Sequence, residues 1–153
     1  MKLTAFSDYT LRVLMYLALE RAGLVTIPQI AAAYEISGHH LTKVVQHLVA
    51  IGVVESVRGR GGGIRLARDP SEIRIGEILR STESDAPIVG CLVGGEKACK
   101  IAPVCRLTDA LVRAFDALYA TLDEYTLADL VRTPKGLFRI LIQPQERGPE
   151  GLR

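Results

Sequence analysis

Few folds accommodate the run of arginine and glycine residues from Arg58 to Gly63. Four of these six residues are glycine, which disfavours the interior of helices and strands. The stretch Val53–Val57 before the run is rich in β-branched residues, and the apolar stretch Ile64–Leu66 follows it. Two short strands around a glycine-rich turn predict a β-hairpin.

Three helices are predicted before the hairpin. Apolar side chains recur at helical spacing between Thr4 and Arg21, which predicts the first helix. A Thr-x-x-Gln capping box at Thr26 and Gln29 predicts the start of a short second helix.

The third helix follows a tight turn. Ser37 is its predicted N-cap, and Gly52 lies just past its predicted end. Its apolar positions predict a face towards the core: Leu41, Val44, Val45, Leu48 and Ile51. Two helices joined by such a turn are typical of a helix-turn-helix. With the hairpin, the predicted fold class is mainly α with a small β-hairpin, a winged helix-turn-helix over residues 1–82.

Charge is unevenly distributed along the chain. The formal net charge is only +2, but Ser37–Arg68 carries five basic residues against one acid, Glu55. Ala114–Val131 carries four acids and no base. A basic first half therefore suggests an anionic partner.

Two groups of polar residues are candidates for binding double-stranded DNA. The outward side of the third helix carries His39, His40, Thr42, Lys43 and Gln46. The hairpin carries Arg58, Arg60 and Arg65. Taken separately, these groups could also be a solvated helix face and a flexible turn. Together, a reading helix and a basic wing favour base contacts by the helix and phosphate or groove contacts by the wing.

The three cysteines, Cys91, Cys99 and Cys105, lie within 15 residues of one another. They form no Cys-x-x-Cys pair, and the histidines are distant in sequence, so a structural zinc site fits poorly. Three soft thiolates favour an iron–sulfur cluster, with unrelated thiols as the alternative. Pro103 predicts the start of a helix, which would place Cys105 in the first turn, where the helix dipole favours a thiolate.

The helix predicted from Pro103 ends near Thr133-Pro134 and carries a heptad-like apolar seam. The seam consists of Leu107, Leu111, Ala114, Leu118, Leu122 and Tyr125. Such a helix lacks an equal partner in a short chain, which predicts a homodimer. The predicted organisation is therefore a cluster-binding loop at 83–102, a dimerisation helix at 103–133 and a partly disordered tail at 134–153.

Other classes of protein are disfavoured. No apolar run is long enough to span a membrane, and no secretory leader is recognisable, so a cytoplasmic protein is expected. The chain has no nucleotide-binding loop, no Ser/His/Asp set and no Cys-x-x-Cys, so an enzyme is not expected.

With these features, the chain resembles the winged-helix iron–sulfur repressors typified by NsrR and IscR. The resemblance extends from about Met1 to Val131 and includes the three cysteines before a long helix. The motifs that carry it are Phe6–Arg12, Leu41–Val45 and Val57–Gly63. Leu107 and Thr108 occupy the stretch in which the IscR type has a histidine ligand, so the NsrR type, a nitric-oxide sensor, is the nearer match.

The resemblance implies a homodimeric repressor of a palindromic operator that controls nitric-oxide detoxification or nitrogen-oxide metabolism. Cys91, Cys99 and Cys105 would hold a 4Fe–4S cluster, and Asp8 of the other subunit would be the fourth ligand. Arg12, one helical turn from Asp8, is a candidate partner for that carboxylate when the cluster is lost. The alternatives are an IscR-like 2Fe–2S regulator of cluster assembly and a cluster-free thiol redox sensor.

Overall fold

The computed structural model describes residues 3–83, 99–101 and 104–142. Cys91, Pro103, most of the predicted cluster-binding loop and the end of the predicted tail lie outside the described residues. The helices and strands are α1 (Ala5–Leu19), α2 (Ile27–Tyr34), α3 (Gly38–Ala50), β1 (Val54–Val57), β2 (Gly63–Leu66), α4 (Ile75–Glu83), α5 (Arg106–Asp123), α6 (Leu127–Leu130) and α7 (Pro134–Leu141). A short 3₁₀ helix, Pro70–Glu72, lies between β2 and α4.

The predicted helix-turn-helix and hairpin are confirmed. Thr26 N–H donates to Gln29 Oε1 at 2.7 Å at the start of α2, and Ser37 is the N-cap of α3. Gly52 follows α3 with a φ of 71°, the left-handed conformation that glycine adopts at little cost. Gly52 therefore accounts for the end of α3, whereas the Ser37 side chain occupies the N-cap position without accepting a capping hydrogen bond.

The core lies between α1, α3 and α4, where the fully buried side chains include Leu14, Leu41 and Ile78. The predicted inward face of α3 is confirmed at four of its positions, Leu41, Val44, Val45 and Leu48. Ile51 is the exception, because it is the C-cap of α3 and is 39% exposed. Helical spacing does not predict burial at Ile51, because the backbone leaves the helix there.

The hairpin is antiparallel and is attached to the helical body. Val54 pairs with Leu66, and Val57 pairs with Gly63 next to the turn. On the other edge, Ile64 N–H donates to Val25 O at 2.8 Å. A Cβ on Gly63 would lie 2.7 Å from that same oxygen, so only glycine allows this close approach.

The chain differs from the predicted organisation after Asp123. The helix predicted to continue to Thr133 ends at Asp123, and a separate helix, α6, begins after Thr126. The Thr126 hydroxyl accepts the Asp129 N–H at 3.2 Å, and Leu127 is completely buried. The N-cap at Thr126 and the burial of Leu127 thus stabilise a new helix more than continuation of α5 would. The predicted tail begins with a helix, α7, whose Leu141 is buried.

Among the helices that the structure describes, none is both long enough and apolar enough to cross a membrane.

Candidate DNA-binding surface and cysteine segment

The polar residues predicted on α3 share one exposed face. His39, His40, Thr42, Lys43 and Gln46 are all exposed. The opposite face is buried in the core, so packing determines which side chains point outward. The Thr42 hydroxyl donates to Gly38 O at 2.9 Å within the helix.

Side chains of α1 and α4 contact two histidines of α3. The rings of Phe6 and His47 are 5.4 Å apart in an edge-to-face arrangement, and those of Tyr9 and His40 are 6.0 Å apart. His47 Nε2 lies 3.0 Å from the hydroxyl oxygen of Ser81 on α4. Sequence reasoning missed Ser81, because no local pattern connects residues that are 34 positions apart.

The three arginines of the wing differ in their surroundings. Arg58 and Arg60 are exposed at the turn, and neither forms an ion pair with any residue that the structure describes. Arg65 lies opposite Glu55 in the hairpin and forms an ion pair with it. The guanidinium groups of Arg58 and Arg60 are thus available for phosphates, whereas that of Arg65 is already paired.

Asp8 and Arg12 lie one turn apart on α1 and form an ion pair with an N–O distance of 2.9 Å. Both side chains are partly exposed, at 45% and 42% respectively. The Arg12 guanidinium also lies over the ring of Tyr34, with its carbon 5.7 Å from the ring centroid. Burial raises the pKa of Tyr34 to about 12, although Arg12 opposes the shift, so this phenol stays protonated at neutral pH.

A polar junction connects the first turn of α1 to the last residue of α4. Glu83 accepts hydrogen bonds from Thr4 and Ser7. Burial raises the pKa of Glu83, but the bonds from Ser7 and Thr4 outweigh burial and leave the pKa below its ordinary value. The junction was not predicted, because its two halves are 79 residues apart.

Cys99 and Cys105 are half-buried free thiols, and Cys91 lies outside the described residues. Cys105 is the N-cap of α5 and so lies just before the first turn in which it was predicted. The Thr108 hydroxyl donates to Cys105 Sγ at 3.5 Å. This bond, with the N–H groups of Thr108 and Leu107, lowers the pKa of the Cys105 thiol.

A soft donor of this kind fits an iron–sulfur cluster, because the thiolate is the form that binds iron. Among the described residues, no group of three or more His, Cys, Asp or Glu side chains is placed to hold a metal ion. The cysteine ligand set therefore remains a prediction.

An exposed polar helix on a helix-turn-helix with a basic wing defines a DNA-binding winged-helix protein. The sequence profile of the Rrf2 family, described as iron-dependent transcriptional regulators, matches residues 3–133. The chain belongs to the Rrf2 family. The prediction that it is a DNA-binding regulator and not an enzyme is confirmed by this membership.

Comparison with individual proteins agrees with the family. The chain is 51% identical to the HTH-type transcriptional regulator NsrR of Bacillus subtilis, over 92% of this chain and 97% of that protein. It is 46% identical to NsrR of Geobacillus kaustophilus, with the same coverage.

Solved structures show the same fold. IscR of T. potens superposes with a TM-score of 0.68 at 25% identity and covers 90% of each chain. CymR, the global cysteine regulator of B. subtilis, has a TM-score of 0.66 at 32% identity over 86% of this chain and 97% of that one. The predicted fold class and the resemblance to NsrR-type proteins are both confirmed.

Proposed function

We propose that the protein is an iron–sulfur-dependent transcriptional repressor that responds to nitric oxide and controls genes of nitric-oxide detoxification or nitrogen-oxide metabolism. The observation that carries this proposal is the Cys105 thiol at the N-cap of α5, where the Thr108 hydroxyl favours the thiolate. The names of the NsrR relatives support the choice of nitric oxide as the signal.

In this proposal, Cys91, Cys99 and Cys105 hold a 4Fe–4S cluster, and Asp8 of the other subunit is the fourth ligand. The bound cluster supplies iron to which nitric oxide can bind. The exposure of Asp8 supports its assignment, because a carboxylate in the core of its own subunit could not reach a partner. Arg12 neutralises Asp8 whenever that carboxylate does not bind iron.

The proposed homodimer is formed through α5. None of its 18 residues is buried within the subunit, and Leu107 is 65% exposed. Of the other predicted seam positions, Ala114 is exposed, Leu111 and Leu118 are half-buried, and Leu122 packs against the core of its own subunit. Tyr125 lies beyond the end of α5, so the seam is shorter than predicted. A helix of this length with uncovered apolar positions is stabilised by pairing with a second copy.

The dimer would present two α3 helices to successive major grooves, which are about 34–36 Å apart on one side of the duplex. A palindromic operator matches this symmetry. His39, His40, Thr42, Lys43 and Gln46 would lie against base edges, and Arg58 and Arg60 against the backbone or minor groove.

The proposal is tested by purifying the protein without oxygen and measuring iron, sulfide and the visible spectrum before and after addition of nitric oxide. We expect about four iron and four sulfide per subunit, the ratio in a 4Fe–4S cluster. Half that content would indicate a 2Fe–2S cluster. An iron-free protein whose operator binding responds to thiol oxidation would establish a thiol sensor instead.

Substitutions test the ligands. Any single change of Cys91, Cys99 or Cys105 to alanine should abolish cluster assembly and cluster-dependent operator binding. Asp8→Ala should retain the cluster, because three thiolates remain, but change its spectrum and its rate of reaction with nitric oxide. An Asp8→Ala protein that matches wild type in both properties would exclude Asp8 as a ligand.

A further inference from the structure

The carboxylate of Glu83, the last residue of α4, is bound to the first turn of α1. Its Oε1 accepts the Thr4 N–H at 2.9 Å, the Thr4 hydroxyl at 3.0 Å and the Ser7 hydroxyl at 2.5 Å. Ser7 is completely buried, so this hydroxyl relies on acceptors within the protein. The Ser7 hydroxyl has a second acceptor in the Thr82 hydroxyl, at 2.7 Å, and shares its one proton between the two. The two Thr4 donors therefore make the larger part of this charge-assisted contact.

α1 does not need Glu83 in order to begin. The Thr4 hydroxyl caps the helix by accepting the Ser7 N–H at 3.1 Å. A side-chain oxygen at this position is the ordinary way to satisfy the first N–H groups of a helix. The start of α1 is therefore already capped, and the contact with Glu83 additionally connects it to α4.

The connection leads directly to Asp8. The Asp8 N–H donates to Thr4 O at 3.1 Å, while the N–H of the same threonine donates to Glu83. Thr4 is thus hydrogen-bonded to Asp8 through its carbonyl and to Glu83 through its N–H. A shift of Glu83 would move the turn that carries the Asp8 side chain.

The last turn of α4 also contacts the reading helix. Ser81 lies 3.0 Å from His47 on α3, and His47 packs against Phe6 on α1. The end of α4, the start of α1 and the back of α3 consequently form one unit. In chain order, Glu83 lies eight residues before Cys91.

We propose that Glu83 is a positioning residue for Asp8: it anchors the first turn of α1 to α4 and so sets the direction in which the Asp8 carboxylate leaves the subunit. The inference rests on the proposed function, in which that carboxylate binds the cluster of the partner subunit. Glu83 itself binds no iron.

The test replaces Glu83 by glutamine, which keeps the shape of the side chain and removes its charge. Two properties are measured in the full-length protein. The first is amide hydrogen exchange at Thr4 and Asp8 in the cluster-free form, which we expect to accelerate by about tenfold, since a hydrogen bond to a charged group is weakened. The second is the rate at which the cluster-loaded form releases iron to the chelator ferrozine, which we expect to rise severalfold.

The same change made in an Asp8→Ala background separates positioning from general destabilisation. There, Glu83→Gln should still accelerate exchange at Thr4 but should not further accelerate iron release, because the ligand that Glu83 positions is absent. Glu77→Gln is the matched control: Glu77 lies on the same helix but pairs with Arg68, at 3.2 Å. This variant should match wild type in both measurements.

Two results would overturn the inference: unchanged exchange in Glu83→Gln, or the same acceleration of iron release with and without Asp8. A wild-type protein that takes up no iron would refute the proposed function and with it the role of Asp8. The exchange measurement would still show, in that case, whether Glu83 holds the first turn of α1.

Discussion

At the scale of single residues, Thr108 modulates the chemistry of Cys105. We predict that Thr108→Val raises the pKa of this thiol towards its ordinary value, because the hydroxyl donor is the largest of the contributions that lower it. At pH 7 a smaller fraction would be thiolate. Alkylation of Cys105 by iodoacetamide should therefore be slower, with the midpoint of its pH–rate profile moved upward.

The measurement uses cluster-free protein in which Cys91 and Cys99 are serine. Thr121→Val serves as the control, because the Thr121 hydroxyl donates to Ala117 O at 2.9 Å on the same helix. If Thr108→Val reacts like this control, the hydroxyl does not influence the thiol.

The wing arginines should differ in their effect on DNA binding. Arg60→Ala should weaken binding to operator and unrelated DNA alike. It should also lower the salt dependence of log Kd by about 0.9 for each phosphate that the variant no longer neutralises. Arg65→Ala should have a smaller effect, because Glu55 already neutralises Arg65. Fluorescence anisotropy over a series of salt concentrations measures both the affinity and its salt dependence. Equal effects of the two substitutions would show that the ion pair with Glu55 does not reduce the contribution of Arg65 to DNA binding.

At the scale of helices, Gly76 determines how closely α4 approaches α5. A Cβ at this position would lie 2.3 Å from Asp123 Oδ1 and 2.6 Å from Tyr119 O. Asp123 also receives hydrogen bonds from the Arg80 guanidinium, at 3.1 and 2.5 Å, which fasten the two helices together. The contact fixes α5 against α4.

We predict that Gly76→Ala lowers the free energy of unfolding by about 1–3 kcal/mol, the usual cost of forcing extra volume into a packed site. Gly136→Ala on α7 is the control, since a Cβ there has no neighbour within 4 Å. That change should be neutral or stabilising by up to about 1 kcal/mol, because alanine favours a helix. Urea denaturation of both variants provides the comparison, and equal stabilities would show that α4 and α5 can separate without cost.

At the scale of the whole molecule, the exposed part of the α5 seam, Leu107 and Ala114, should control assembly. Leu107→Asp should shift the protein from dimer to monomer in sedimentation velocity, because the interface would have to bury a charge at an apolar position. Operator affinity should fall by about 10²–10⁴-fold as two-site binding is lost. Ala120→Asp introduces the same charge at another exposed position of α5, outside the seam, and should leave the dimer intact. A dimeric Leu107→Asp protein would place the interface elsewhere.

The local parts of this structure follow from the sequence alone. The start of α2, the end and inward face of α3 and the hairpin depend on residues within a few positions of one another, such as Thr26 with Gln29 and the glycines after Arg58. Caps, helical spacing and turn residues act over this short range, so a pattern in the sequence is enough. The resemblance to NsrR-type repressors likewise rests on short motifs.

The contacts between distant segments depend on the packing of the whole chain. α5 stops at Asp123 because Leu127 packs in the core, and Arg65 is neutralised by Glu55 because the hairpin register sets them opposite each other. Glu83 meets Thr4 across 79 residues. Periodicity shows that a face will be buried but not what will bury it, and a lone carboxylate carries no sign of its partner. Such pairings are determined by the packing of all the helices together, and no short stretch of sequence contains that information.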